Sequence, residues 1–241
     1  MRGTYGDRQP GFAVDKREGD ARAMSFKDRI DAGEQLADAL ERLRGEDVVV
    51  IALPRGGVEV ALPVARRLGA PMTLLIVRKI GLPSQPELAM GAIVDGDKPI
   101  TVRNESVIGF SGVEEAEFDA VVARELSEIH RRQALYLGGR KPVPIEGRVA
   151  IVVDDGIATG ATVRAALKGL RARKPAKIVL AVPVASEDAL GMLRDDADEV
   201  VVLEGLSALG AIGFSYRHFP QLSDADVIAA LDAAETPVQN S

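Results

Sequence analysis

Val149-Ala-Ile-Val-Val-Asp-Asp-Gly-Ile-Ala-Thr-Gly-Ala-Thr162 is the stretch that decides the fold. Its first five residues are small or β-branched and apolar, with no polar alternation. Such a run predicts a strand buried on both faces of a parallel sheet. Asp154 and Asp155 stand where that strand should end. Gly156 and a short link follow, then Thr159-Gly160-Ala161-Thr162. Val163 to Leu170 has helical spacing. Strand, acidic pair, Gly/Thr loop and helix N-terminus therefore occur in that order.

The order has a chemical meaning. Backbone N–H groups at a helix N-terminus lack intrahelical partners and carry partial positive charge, so a phosphate sits well there. Gly160 lets the backbone come close, and the hydroxyls of Thr159 and Thr162 add donors. Two carboxylates would repel a phosphate placed against them. They suit hydroxyl groups a few Å away, or a Mg²⁺ ion. A sugar phosphate fits both demands.

Residues 150–162 resemble the phosphoribosyl-diphosphate (PRPP) motif of type I phosphoribosyltransferases: apolar strand, Asp-Asp, three residues, then Thr-Gly-x-Thr. Pro54-Arg55-Gly56-Gly57, after the apolar run Val48 to Leu53, resembles the pyrophosphate loop of that family. Val77-Arg-Lys-Ile-Gly-Leu-Pro83 with Pro86 to Ala92 resembles its flexible catalytic loop. The start at Met24 to Arg29 is similar to the Met-x-Phe-x-Asp-Arg opening of related domains.

The resemblance implies an α/β fold: a doubly wound parallel sheet, helices on both faces and a small C-terminal hood. It implies an enzyme that uses PRPP and Mg²⁺, transfers the phosphoribosyl group to a nitrogen nucleophile such as a nucleobase, and releases pyrophosphate. Asp154 and Asp155 would hold the ribose hydroxyls. Gly156, Ala158, Thr159, Gly160, Ala161 and Thr162 would form the phosphate loop. Arg55, Gly56, Gly57, Arg78 and Lys79 would receive the pyrophosphate, with Mg²⁺ held on ligand oxygens and no dedicated protein metal site. A PRPP- or nucleotide-sensing regulator that keeps the pocket without turnover is the alternative.

Composition sets outer limits. The chain has 241 residues, 46% hydrophobic and 27% charged, enough for one sizeable α/β domain. Net charge is −6, with no basic run, which disfavours nucleic acid as a partner. There is no cysteine, so thiolate chemistry and disulfides are excluded. No apolar segment approaches the ~18–20 residues of a membrane span, and no apolar signal core opens the chain, so a cytoplasmic protein is expected. His130 and His218 are the two histidines, and neither lies in a metal-ligand pattern. P-loop and Gly-x-Ser-x-Gly motifs do not occur.

Outward from the motif, residues 1–23 are rich in Gly, Asp and Arg and predict a disordered tail. Residues 24–235 read as the domain and 236–241 as a frayed end. Ser25 is expected to cap a helix ending near Gly45, with Asp28 near its third position. Val58 to Leu68 predicts a helix that Pro63 should kink or whose start it should shift. Pro71 to Val77 predicts a strand ending in Arg78-Lys79, followed by a mobile loop over 81–87. Leu88 to Val94 and Pro99 to Val102 predict two short strands joined by a turn at Asp95-Gly96-Asp97. Val113 to Leu137 predicts a long charged helix that packs on the sheet or on a second copy in a homo-oligomer. Ala176 to Val182, closed by Pro183, and Glu199 to Leu203 predict further strands, with a helix at Ser186 to Arg194 between them. Gly213 to Gln221 fits either a hood over an acceptor or packing under a loop. Related proteins read Gly-x-Trp-Tyr-x-Asp-Phe-x-Gln there, whereas Ser215 and His218 occupy the Trp and Asp positions here. Asp224 to Ala234 predicts a final helix.

Overall fold

The computed structural model describes residues 12–14, 26–96, 98–140, 143–206 and 211–235. The strands among them are β1 (Phe12–Val14), β2 (Val48–Ala52), β3 (Met72–Leu74), β4 (Val77–Leu82), β5 (Gln85–Val94), β6 (Ile100–Arg103), β7 (Val149–Val153), β8 (Lys177–Ala185) and β9 (Glu199–Gly205). The helices are α1 (Arg29–Leu40), α2 (Gly57–Leu68), α3 (Glu105–Ser111), α4 (Glu115–Leu137), α5 (Ala161–Arg171), α6 (Glu187–Leu193) and α7 (Asp224–Glu235). No helix of the described residues is long and apolar enough to cross a membrane.

One sheet runs in the order β1-β9-β8-β7-β2-β3, with every neighbouring pair parallel. β7 lies between β2 and β8, where Ile151 stands opposite Val50 and Val179. Alternate residues divide between two cores. Val50, Ala52, Ile151 and Val153 pack with Leu36 and Leu40 of α1, Val60 and Val64 of α2, and Val227 and Leu231 of α7. Val49, Ile51, Ala150 and Val152 pack with Leu167 and Leu170 of α5 and with Leu193 of α6. Both faces of β7 are covered, which is why its sequence shows no polar alternation. This is the expected doubly wound sheet with helices on both faces.

Several elements differ from expectation. Asp28, not Ser25, caps α1: its carboxylate accepts from the Asp31 N–H at 2.9 Å, and Ser25 lies outside the described residues. α2 continues through Pro63. β8 runs through Pro183 to Ala185, and its register with β9 passes from Val182 opposite Val202 to Val184 opposite Glu204. Proline, which has no N–H, thus sits where no ladder pair is formed. Phe12–Val14, placed in the tail by composition, adds a parallel strand beside β9. The rest of 1–25 and residues 236–241 lie outside the described residues.

The largest difference is at 71–87. The expected strand over 71–77 divides into β3 of the parallel sheet and the start of β4. In place of an open loop over 81–87, β4 turns tightly into β5. With the strands expected over 88–94 and 99–102, found as β5 and β6, β4 forms a separate antiparallel sheet, here called the flap. Ile80, Leu82, Met90 and Ile93 join the core that holds α1 and α2, and Val94 joins the core beneath α5. Asp95, expected to be a turn residue, is 4% exposed. Its carboxylate accepts from Arg173 just beyond α5 at 3.0 Å and from Gln133 of α4 at 3.4 Å. Burial pushes the Asp95 carboxyl up, and the Arg173 guanidinium opposes that rise. Asp95 therefore ties the flap to two helices. Asp95→Ala would leave Arg173 without its anion and should lower stability by on the order of 3 kcal/mol. Urea unfolding at pH 7 measures this, and a loss under half that size would show that the tie is superficial.

Candidate functional site

β2 and β7 end side by side, with the Leu53 N–H donating to the Val153 carbonyl at 2.9 Å. The turn after β2 thereby lies directly against the acidic pair after β7. A Cβ at position 56 would fall 1.8 Å from Asp155 Oδ2, and one at position 57 would fall 2.6 Å from the Val153 carbonyl oxygen. Gly56 and Gly57 are required by this close approach of backbone to carboxylate. Their expected role was to free amides for an anion, whereas the geometry first makes them room for the acids.

Asp155 is not an open carboxylate. Arg29, the first residue of α1, donates through Nε to Asp155 Oδ2 at 2.8 Å. Arg29 is itself 5% exposed, and a second nitrogen donates to the Pro220 carbonyl at 2.8 Å. Its guanidinium lies 3.7 Å above the Phe219 ring. Phe219 stacks on Tyr216 at 4.7 Å, and Tyr216 meets Phe26 at 5.4 Å. The Tyr216 hydroxyl donates to the Asp155 carbonyl at 2.6 Å. Phe26 and Tyr216 also share a parallel bridge. The C-terminal segment is thus an aromatic wedge behind the acids.

The two acids have different electrostatics. Asp154 accepts the Asp155 N–H at 2.9 Å. Burial, and after it the charge of Asp155, raises the Asp154 carboxyl well above the usual carboxylate range. Burial also raises Asp155, but the hydrogen bond and charge of Arg29 oppose it. Glu59 of α2 is raised by burial, and Arg29 again works against the rise. Asp154 is therefore the acid more inclined to hold a proton, and Asp155 the one whose anion Arg29 favours.

The loop beyond has two parts. Gly156 is packed inward, since a Cβ there would lie 2.6 Å from Ile212 Cγ2. Ala158 and Thr159 are exposed, and the Ser186 hydroxyl donates to the Ala158 carbonyl at 2.7 Å. Gly160, at φ +76°, caps α5 in a left-handed conformation that favours glycine. Ala161 and Thr162 open α5 and line a cleft of about 350 Å³ between α5 and the flap. Lys79, Arg103, Arg164 and Lys168 line the same cleft, with Glu105 as the acid among them.

The structure therefore brings Lys79 to Ala161 and Thr162, and Gly56 and Gly57 to Asp154 and Asp155. Arg55 is half-buried near Asp224, at 3.8 Å. Arg78 turns to α4, where Glu125, 9% exposed, binds it at 2.7 and 2.9 Å. Lys79 pairs across the hairpin with Glu87 at 3.1 Å. Sequence reasoning missed Arg29, Tyr216 and Glu125 as parts of the site. Arg29 did stand in the Met24 to Arg29 opening, but nothing local links it to a residue 126 positions away. Among the described residues, no group of three or more His, Cys, Asp or Glu could cage a metal.

The chain matches the model of the phosphoribosyl transferase domain family over residues 26–217. It is 48% identical over 209 residues to proteins of Mycobacterium tuberculosis strains CDC 1551 and H37Rv that are provisionally named phosphoribosyl transferases. That alignment covers 87% of this chain and 47% of those relatives, so the chain spans about half their length. The crystal structure of TT1426 from Thermus thermophilus superposes with a TM-score of 0.75 at 39% identity, covering 86% of this chain and 97% of that one.

The two acids should respond unequally to neutralisation. Above pH ~3.8 the unfolded chain releases the Asp154 proton while the folded chain retains it, so stability falls as pH rises towards the folded value. Asp154→Asn removes that loss and should raise the melting temperature at pH 7, with the gain vanishing near pH 3–4. Asp155→Asn removes a smaller loss of the same kind and also takes the counter-charge from the buried Arg29, so its gain at pH 7 should be clearly smaller than that of Asp154→Asn. Melting curves from pH 3 to 8 decide. A gain from Asp155→Asn as large as that from Asp154→Asn would contradict the division between the acids.

Proposed function

Because the chain belongs to the phosphoribosyl transferase domain family, we propose that it binds PRPP and transfers the phosphoribosyl group to a nitrogen nucleophile, a nucleobase being the acceptor class, with release of pyrophosphate. One observation carries the reading. Asp154 and Asp155 end the central strand, and the exposed start of α5 follows them within one loop. That loop offers acceptors for sugar hydroxyls at one end and unpaired helix N–H groups for a phosphate at the other.

In this reading the bond from C1 to pyrophosphate breaks as the nucleophile's nitrogen attacks C1. The ring gains positive charge on the way, and Asp155, whose anion Arg29 favours, stabilises it. Thr159 to Thr162 hold the 5′-phosphate. Lys79 and Arg55 are the cations offered to the pyrophosphate. Arg78 would join them only after leaving Glu125. Among the described residues no acidic cage could hold an ion by itself, so Mg²⁺ would be carried on ligand oxygens and water. When bound, the ion would supply neutralisation of the diphosphate charge.

A PRPP-sensing protein without turnover is the second reading, and the closed Arg78–Glu125 pair favours it. Calorimetry with PRPP and Mg²⁺ should show binding, and a screen of purine and pyrimidine bases should show PRPP-dependent pyrophosphate release with at least one. Lys79→Ala should reduce that release by about 100-fold, as for other lost electrostatic groups. PRPP affinity should change by less than about tenfold, ~1.4 kcal/mol. Tight binding with no release for any base would select the sensor. No heat with PRPP, ribose 5-phosphate or any nucleoside monophosphate would remove both readings.

A further inference from the structure

We propose that Arg29 is a positioning residue of the sugar-binding end of the site: it fixes Asp155 by one carboxylate oxygen and leaves the other to meet a ligand hydroxyl in a set orientation. The inference rests on the phosphoribosyl reading above.

The geometry over-determines the guanidinium. Asp155 takes Nε, the Pro220 carbonyl takes another nitrogen, and the Phe219 ring supports the flat face. A planar fork held at three points has little rotational freedom, so its carboxylate partner has little as well. The backbone of Asp155 is held too, by the Tyr216 hydroxyl. These anchors come from both ends of the domain, which are stitched together: the Phe26 N–H donates to the Ser215 carbonyl at 3.0 Å, and the Arg217 N–H donates to the Phe26 carbonyl at 2.9 Å. Gly56 presses on the same carboxylate from the other side.

A carboxylate whose energy lies in aimed hydrogen bonds loses catalytic value if it can rotate. Asp155 could rotate or take a proton without Arg29. Asp154 just after β7 and Glu59 on α2 are the other acids beside this guanidinium, and the charge of Asp155 raises both. The buried hydroxyl of Tyr216 is raised above its ordinary value and stays neutral. Arg29 is the cation that offsets all three carboxylates, which gives it a part in the site beyond holding α1 in place.

Two readouts separate this from a merely structural role. The first is the side-chain ¹³C titration of Asp155 by NMR, with ligand-free protein. Arg29→Gln should move the Asp155 midpoint upward by about one pH unit or more, because an opposite charge at hydrogen-bond range is removed. Arg29→Lys should return it towards the parent value. The second is calorimetric PRPP affinity at pH 6 to 8.5. Arg29→Gln should weaken it by about tenfold or more at pH 7, and Arg29→Lys, which keeps charge without the fork, should recover part of the loss. If Arg29→Gln does not fold, Phe219→Leu keeps the ion pair and removes its platform. A loss of about threefold or more in affinity at unchanged melting temperature then supports the proposal, by the same loss of orientation. A folded Arg29→Gln with the parent's Asp155 titration and PRPP affinity would overturn the proposal and leave the phosphoribosyl reading standing. So would unchanged affinity in Phe219→Leu. A parent protein that binds neither PRPP nor ribose 5-phosphate would overturn that reading, and the positioning role with it.

Discussion

Two carboxylates follow one another at the end of a strand that is buried on both faces. That is an unfavourable arrangement, and much of the surrounding structure compensates for it. Adjacent anions in a low dielectric repel and lose hydration. Asp154 is met by the Asp155 N–H and is raised towards its neutral form. Asp155 is met by a buried guanidinium. The neighbouring turn after β2 has glycine at both positions where a side chain would collide with the pair.

The compensation reaches the ends of the domain. Arg29 can serve Asp155 only if α1 begins at this point of the sheet, and Asp28 fixes that beginning as the cap. The guanidinium then needs its own platform and acceptor. Phe219 and the Pro220 carbonyl supply them from a segment nearly two hundred residues later. A buried pair of this kind is weak evidence for net stability, because desolvation offsets the attraction. Its persistence here is better explained by specificity: removing either partner leaves an uncompensated charge, so the N-terminal helix, the C-terminal segment and the acids adopt one arrangement.

Legibility in the sequence follows the range of the interactions. The strand, acids, loop and helix from 149 to 170 are contiguous, and each is set by local rules of burial and helix termini, so the parallel α/β architecture could be read from them. The flap could not. Gly81, Pro83 and Pro86 look like breakers, yet Ile80 and Leu82 are buried beside the more open Arg78, Lys79 and Gly81, with Leu82 paired to Gln85 at the tight turn. Short strands that hold their register through a bulge are masked by turn-forming residues. α3, seven residues capped by Asn104, is too short for periodicity to show. The partners of Asp155 and Arg78 were hidden for another reason: ion pairs spanning 126 and 47 positions leave no periodic trace.

The ion pairs also sort by how readily they could be exchanged for a ligand. Arg29 and Arg78 each bind a carboxylate that is little exposed, Asp155 at 15% and Glu125 at 9%. Drawing either cation away would leave an acid that is poorly hydrated, at a cost of several kcal/mol. Lys79 is different. Its partner Glu87 is 94% exposed, and a pair of that type contributes about 0–1 kcal/mol. A phosphate group approaching the start of α5 could take Lys79 from Glu87 at almost no cost, since water solvates the released carboxylate. The cleft at Thr162 thus holds a cation that can be reassigned, while the acidic end holds one that cannot. The same contrast divides the flap itself, where Lys79 is the adjustable cation and Arg78 is held, and makes the wedge behind Asp155 the fixed frame: a cation with a wet partner can be reassigned, and one with a dry partner stays.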